Sequence, residues 1–306
     1  MRKTTLAAAA LLGSTAIAAA DFPSGTIEMI IPFNAGGGTD IVARAFEPAF
    51  SEALGTTVVI RNIGGASGTI GAATAAAARA DGYTIGYLPI GPVAIQPSLR
   101  ELTYNVDSWE FVCQTTDNPV LLMVSEDSGI STVEEFQALG SVIYGSSGPG
   151  TIPHLSMAAT VGALGMQGTH VPYDGTGPAM TALAGGEIAA FVDMVPVVQA
   201  NAVTPLAVFA TERHPDFPDV PTMAELGHDL QFSVWQGIFT PAGTDAAVVA
   251  TLSDACATAV QSEGFRAAAV NINTEILYRD SAAFEEFVRA NVETNRRILI
   301  EAGLAQ

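Results

Sequence analysis

Ile30-Ile31-Pro32-Phe33-Asn34-Ala35-Gly36-Gly37-Gly38-Thr39-Asp40 carries an apolar strand, Ile27 to Ile31, through a tight glycine loop into a helix beginning near Thr39 or Asp40. Ile41, Val42, Ala45, Phe46, Ala49 and Phe50 then fall on one side of that helix. Three successive glycines let the backbone approach a ligand closely, because no Cβ intervenes and positive φ is open to them. A helix N-terminus behind them offers unpaired N–H groups and a partial positive charge, which together make an anion site without a charged side chain.

Taken alone, such a stretch reads equally as an ordinary βα turn with Thr39 or Asp40 as N-cap. A second copy changes the balance. Val142-Ile143-Tyr144 runs into Gly145-Ser146-Ser147-Gly148-Pro149-Gly150-Thr151, and a helical pattern with Leu155, Met157, Ala158 and Val161 follows. Two such loops in separate halves suggest a ligand gripped from both sides.

At 306 residues the chain can hold two lobes with sizeable cores, and its alternation of short apolar runs with helical patterns points to an α/β class. Residues 1–20 read as a secretory signal peptide: Arg2 and Lys3, an apolar stretch from Leu6 to Ile17, then Ala18-Ala19-Ala20 before Asp21. No later apolar run reaches the ~20 residues that span a bilayer. The formal charge of −19 becomes −21 once Arg2 and Lys3 are removed, and Lys3 is the sole lysine. A Walker-type or Schiff-base lysine is thereby excluded, and the acidic balance argues against nucleic acid. An anion site in so acidic a chain has to rely on local dipoles. Cys113 and Cys256 are an even pair that an oxidising compartment allows to bridge; each reads equally as a buried thiol.

Further along, Thr57 to Ile60 reads as a strand leading to a second glycine loop, Arg61 to Gly68, and an alanine helix, Thr69 to Ala80. Tyr83 to Leu88 is the next strand, and Trp109 to Gln114 with Val120 to Val124 carries the chain into a second lobe. Ser131 and Glu134 have capping-box spacing. His170 to Tyr173 ends at Asp174-Gly175-Thr176-Gly177, and Ile188 to Val192 ends at Asp193. Pro205 to Ala210 is a further strand, Phe232 to Phe239 returns to the first lobe, and helices over Asp245 to Ser262 and Ser281 to Ala302 close the chain. Ligands of open α/β sheets sit at carboxyl ends of strands, where these loops gather.

Catalytic patterns fail on inspection. Gly65-Ala66-Ser67-Gly68-Thr69 and Gly145-Ser146-Ser147-Gly148-Pro149 both lack the last glycine of a nucleophile elbow, and Ile41 replaces the third small residue of a dinucleotide fingerprint. His154, His170, His214 and His228 have no metal-ligand spacing. No catalytic residue, metal or cofactor is therefore expected. His154 reads first as a helix-surface or core histidine; in a site it would donate to a bound carboxylate or hold a loop. Asp193 would cap a helix, or accept from a ligand hydroxyl or ammonium. Tyr173 is core or wall of the cleft, and Arg44 pairs with Asp40 at helical spacing as readily as with a ligand.

Pro32 to Asp40, the Arg61-Asn62 to Gly71 loop, Asp81-Gly82-Tyr83-Thr84, Val171-Pro172-Tyr173-Asp174-Gly175 and Pro218-Asp219-Val220-Pro221-Thr222 resemble, in order and spacing, the tripartite tricarboxylate transporter substrate-binding proteins, or Bug receptors. The likeness runs from about Phe22 to the C-terminus. It implies a periplasmic, two-lobed α/β flytrap with a hinge of crossing strands, with 21–120 plus 234–306 as one lobe and 121–233 as the other. The ligand implied is a small organic acid (a di- or tricarboxylate, an aromatic acid or an acidic amino acid), which a monomeric receptor delivers to a two-subunit membrane permease. Carried onto this sequence, the first-lobe contacts fall on Asn34, Ala35, Gly37, Gly38, Ala66, Ser67 and Gly68. Those of the second lobe fall on Ser146, Ser147, Thr151, His154, Tyr173, Gly175, Thr176 and Asp193. Asn34 stands where the family often has a small residue or proline. Two rivals stay open: a receptor for an amino acid or other zwitterion with Asp193 on the ammonium, and an exported acyl-transfer enzyme using Ser67 or Ser147.

Overall fold

The computed structural model describes residues 22–301; the leader expected over 1–20 and the helix end expected at Ala302 lie outside the described residues. The β-branched run after Thr26 forms β1 (Ile27–Ile31), which pairs in parallel with β2 (Val58–Asn62) and β3 (Thr84–Pro89). The crossovers are α1 (Gly38–Leu54) and α2 (Thr69–Ala76). Pro48 sits inside α1, which continues past it to Gly55, where a left-handed φ of 66° ends the helix. The alanine helix expected through Ala80 stops at Ala76. Residues 77–80 are largely exposed and bury no face that would hold another turn, and the Ala77 and Ala78 N–H groups close onto Ala73 and Ala75.

A short helix, α3 (Gln96–Leu99), precedes β4 (Trp109–Ser125), the strand that joins the lobes. Two apolar runs separated by Asp117-Asn118-Pro119 thus form one strand of 17 residues. The first lobe's sheet closes with β9 (Ser233–Pro241), antiparallel to both β3 and β4, and β10 (Ile276–Arg279) on the outer edge of β4. Beyond Pro119 the same strand changes partners, to β7 (Phe191–Met194) and β8 (Val203–Val208).

The second lobe holds α4 (Val133–Gln137), β5 (Ser141–Ser146), α5 (Ile152–Ala163), β6 (Gln167–Pro172), α6 (Thr176–Ala184) and α7 (Val195–Gln199). Strands β5 and β6 are parallel, and Tyr144 of β5 bridges to Ala190 just before β7. The cap of α4 lies one residue later than its sequence spacing suggests. Thr132 accepts from the Glu135 N–H at 3.2 Å, and the Glu135 carboxylate accepts from the Ser131 N–H at 2.8 Å.

Helices α8 (Ala246–Gln261) and α9 (Glu263–Asn271) pack with α1 on one face of the first sheet, and α10 (Ser281–Glu301) lies on the other. Phe46 meets Phe50 and Phe265 at ring distances of 5.2 Å, all three fully buried; each such side chain contributes about 1.5–3 kcal/mol. Cys113 of β4 and Cys256 of α8 are disulfide-bonded, with Cα atoms 6.6 Å apart, so the strand-and-helix pair bridges.

Candidate functional site

The glycine loop after β1 is held from beneath by Asp40. Its carboxylate accepts from the Gly36 N–H (2.9 Å), the Arg44 guanidinium (2.9 and 3.0 Å) and the Asn62 amide (2.8 Å), while Asn62 also donates to the Phe33 carbonyl at 2.9 Å. Burial works against the charged form of Asp40, but Arg44, Gly36 and Asn62 outweigh it and hold the carboxyl below its ordinary value. Arg44 is thus spent on the loop's framework. Gly36 takes a φ of +82°, which glycine adopts without strain. Asp40 is not the N-cap of α1; Gly37 is, without a side-chain bond, so the first-turn N–H groups stay free for the cleft.

The loop after β5 has its own brace. Ser146, fully buried, donates to the Gly148 carbonyl at 3.0 Å and accepts from the Gly148 N–H at 3.1 Å, with His170 Nε2 at 2.7 Å from the same oxygen. His154 accepts on Nδ1 from the Gly150 N–H at 3.0 Å and stacks on His170 with ring centroids 4.0 Å apart. Burial lowers the His154 pKa; burial and then the neighbouring His154 push His170 down to about 4. Both imidazoles are therefore neutral wherever the protein is folded near pH 7, and His154 holds the loop. Thr151, the N-cap of α5, donates its hydroxyl to the Gly148 carbonyl at 2.7 Å and leaves that helix without a side-chain cap.

Between these loops lies a cavity of about 50 Å³, lined by Phe33, Gly37, Gly38, Thr39, Pro89, Ile90, Gly91, Ser147, Thr151, Ile152, Pro153, Thr176, Asp193, Met194 and Val234. Three helices, α1, α5 and α6, present N-termini without side-chain caps to this one space. Among the described residues, no lysine, arginine or histidine lines it. Asp193 does: it is 5% exposed, accepts from the Thr176 hydroxyl at 2.7 Å and the Met194 N–H at 2.8 Å, and burial raises it to about 6 against those two bonds. A wider groove of about 590 Å³ beside Pro119, Asp216 and Glu275 has no such convergence of helix N-termini.

Of the residues expected from the sequence, Gly37, Gly38, Ser147, Thr151, Thr176 and Asp193 line the cavity. Asn34, Ser67, Gly68 and Gly175 join Ser147 along an adjoining crevice. Ala35 and Ala66 are exposed, while Ser146, His154 and Tyr173 line neither space; Ser146 and His154 brace the loop by side chain, and Tyr173 meets it through its backbone N–H on the Ser146 carbonyl at 2.9 Å. The first lobe's edges touch the second directly. Asn34 donates to the Asp174 carbonyl at 2.8 Å, and Ser67 and Gln96 each donate to the Pro149 carbonyl at 2.9 Å. The lobes are closed on one another. Phe33, Thr39, Pro89, Ile90, Gly91, Ile152, Pro153, Met194 and Val234 were not expected at the site. Pro89 ends β3 and Ile90 follows it, so the strand-end rule pointed toward them; Val234, on a crossing strand, had no sequence signal.

The sequence profile described as "Tripartite tricarboxylate transporter family receptor" matches residues 42–304. The chain belongs to this family. Its structure is similar to that of the periplasmic binding protein BugD, with a TM-score of 0.87 and 29% identity over 93% of this chain and 99% of that one. It is also similar to MatC from Rhodopseudomonas palustris with bound malate (TM-score 0.83, 28% identity, 91% of this chain and 100% of that one). A third likeness is to an R. palustris protein solved with adipate (TM-score 0.87, 28% identity, 93% and 99%). The chain is thus a solute-binding receptor of the Bug type, and the two-lobed α/β fold expected from its sequence is the fold of these structures.

Proposed function

We propose that this Bug-type receptor is exported to the periplasm, binds one small organic carboxylate between its lobes, and hands it as a monomer to a two-subunit membrane permease. The observation that carries the reading is the convergence of three uncapped helix N-termini on one cavity with no basic side chain. Each terminus contributes on the order of 0.3–1 kcal/mol to an anion, more where partly buried. Charge-assisted N–H bonds add roughly 1.5–3 kcal/mol each before ordering costs. Because these groups come from both sides of the cleft, a ligand carboxylate touches more of them when the lobes are closed, and so favours that state. The relatives solved with malate and adipate support a carboxylate as the ligand class. We divide the lobes at 21–120 plus 234–306 and 121–233; the change of partners along β4 past Pro119 supports this.

A thermal-shift screen of residues 21–306 against organic acids, amides, sugars and amines at matched ionic strength tests the proposal. Ligand at about 100 times its dissociation constant adds roughly 2.7 kcal/mol. A rise of several degrees confined to carboxylates is expected, and its loss in Gly37→Val. A shift with neutral or cationic solutes alone would overturn the reading.

A further inference from the structure

We propose that the Asp193 end of the cleft selects acids that also carry a hydrogen-bond donor (an ammonium, a primary amide or a hydroxyl) and discriminates against a second carboxylate. This rests on the carboxylate-receptor reading and narrows its ligand class. A carboxylate offers about four acceptor directions, and two of those on Asp193 are filled, by Thr176 and the Met194 N–H. The Thr176 hydroxyl has one proton and gives it to Asp193 at 2.7 Å, so toward the cavity Thr176 can only accept. The side chains of Asp193 and Thr176 therefore offer only acceptors to the cavity.

Among the described residues no cationic side chain faces Asp193; the positive partial charge beside it is that of the α1 and α6 N-termini. From α1, a Cβ on Gly38 would lie 3.3 Å from the Asp193 carboxylate, and Met194, the last residue of β7, gives it a backbone N–H. From β9, the Gln236 amide is turned to Thr39 and the Met194 sulfur. A ligand that brings two carboxylates sets one of them against this buried acid, which has no cationic side chain beside it, and two like charges at such close quarters do not both stay ionised. A ligand donor instead occupies the open acceptor directions with a charge-assisted bond. The small cavity and its apolar sides, Phe33, Ile90, Pro153 and Val234, suit a short chain between the two ends.

Calorimetric titration of residues 21–306 at pH 7.5 with butyrate, 4-hydroxybutyrate, 4-aminobutyrate, succinamate and succinate keeps the chain constant and varies only the far group; malonate, malonamate and β-alanine repeat the comparison one carbon shorter. We expect at least one donor-bearing acid in a series to bind ten-fold or more tighter than its dicarboxylate. In Asp193→Asn, with folding checked by circular dichroism, the 4-aminobutyrate advantage should disappear and succinate should gain. A dicarboxylate that binds as tightly as its amide and ammonium counterparts overturns this inference and leaves the carboxylate receptor standing. If no acid of either series binds while uncharged solutes do, both readings fall. Should Asp193→Asn not fold, the wild-type ranking alone decides.

Discussion

Replacing Asp193 by asparagine should make the protein more stable at neutral pH. Burial raises this carboxyl from 3.8 to about 6, so between about pH 4 and 6 the native protein keeps a proton that the unfolded chain has lost, and stability falls as pH rises through that window. Above it the penalty is the difference of the two values at 1.36 kcal/mol per pH unit, about 3 kcal/mol; at pH 4.5 it has shrunk to about 1 kcal/mol. Asparagine removes the charge and keeps the local bonds: its oxygen can accept from the Met194 N–H, and its amide can donate to the Thr176 hydroxyl once that hydroxyl rotates. For the 280 residues from 22 to 301, an unfolding entropy near 2.1 cal/mol/K per residue converts 3 kcal/mol into a rise of about 5 °C. Thermal melts of both proteins at pH 7.5 and 4.5 read this directly. An Asn variant that melts at or below the wild type at pH 7.5, or an offset that does not narrow at pH 4.5, would show that the charged form is not strained by burial. Stability given up at a ligand-facing group is the usual mark of function.

Acid should act in the opposite sense through the histidine pair. From pH 6.5 down to about 4 the unfolded chain takes up a proton that native His170 refuses, so melting temperature falls with pH across that window, and His170→Gln should flatten the slope. Reducing the Cys113–Cys256 bond reopens a loop of 143 residues; chain entropy sets an upper figure of about 5 kcal/mol, and bridges commonly give 2–4, so the Cys113→Ala/Cys256→Ala variant should melt about 3–7 °C lower by calorimetry. The two cleft glycines should differ. At Gly37 the nearest atoms to an added Cβ are 3.5 Å away, so Gly37→Ala should leave affinity for the best acid within about three-fold, as measured by titration calorimetry. At Gly148, with φ +127°, a Cβ would stand 2.5 Å from the Ser67 hydroxyl and 3.2 Å from its Cα, so Gly148→Ala should weaken binding about 5- to 150-fold, corresponding to 1–3 kcal/mol of overpacking.

The glycine loop was readable because a β-branched run, three glycines and a one-sided apolar helix stand in immediate succession, and each depends on neighbours within a few residues. The closing contacts were not, since Asn34 meets Asp174 across 140 positions and Ser67 meets Pro149 across 82. Asp117-Asn118-Pro119 looked like a break between two strands. In the fold Pro119 pairs with Ser233 where β4 exchanges β9 for β7 and β8, a place where a missing N–H is tolerated. The third helix N-terminus was hidden in Gly175-Thr176-Gly177-Pro178, which reads as a loop; proline fits the first turn of α6 because an N–H there would have no intrahelical partner to lose. His154 offered two roles in the sequence, and its ring nitrogen takes the loop amide. The edge strand β10, only four residues long, left no pattern strong enough to see.

Amide hydrogen exchange of residues 21–306, with and without the acid that shifts melting most, tests the two-sided cradle most directly. The account predicts simultaneous protection over 37–41, 147–155 and 175–180, the segments that bring the three helix N-termini to the cavity, with little change in α8 and α10. Protection confined to one lobe, or centred on the groove beside Pro119 and Glu275, would contradict it.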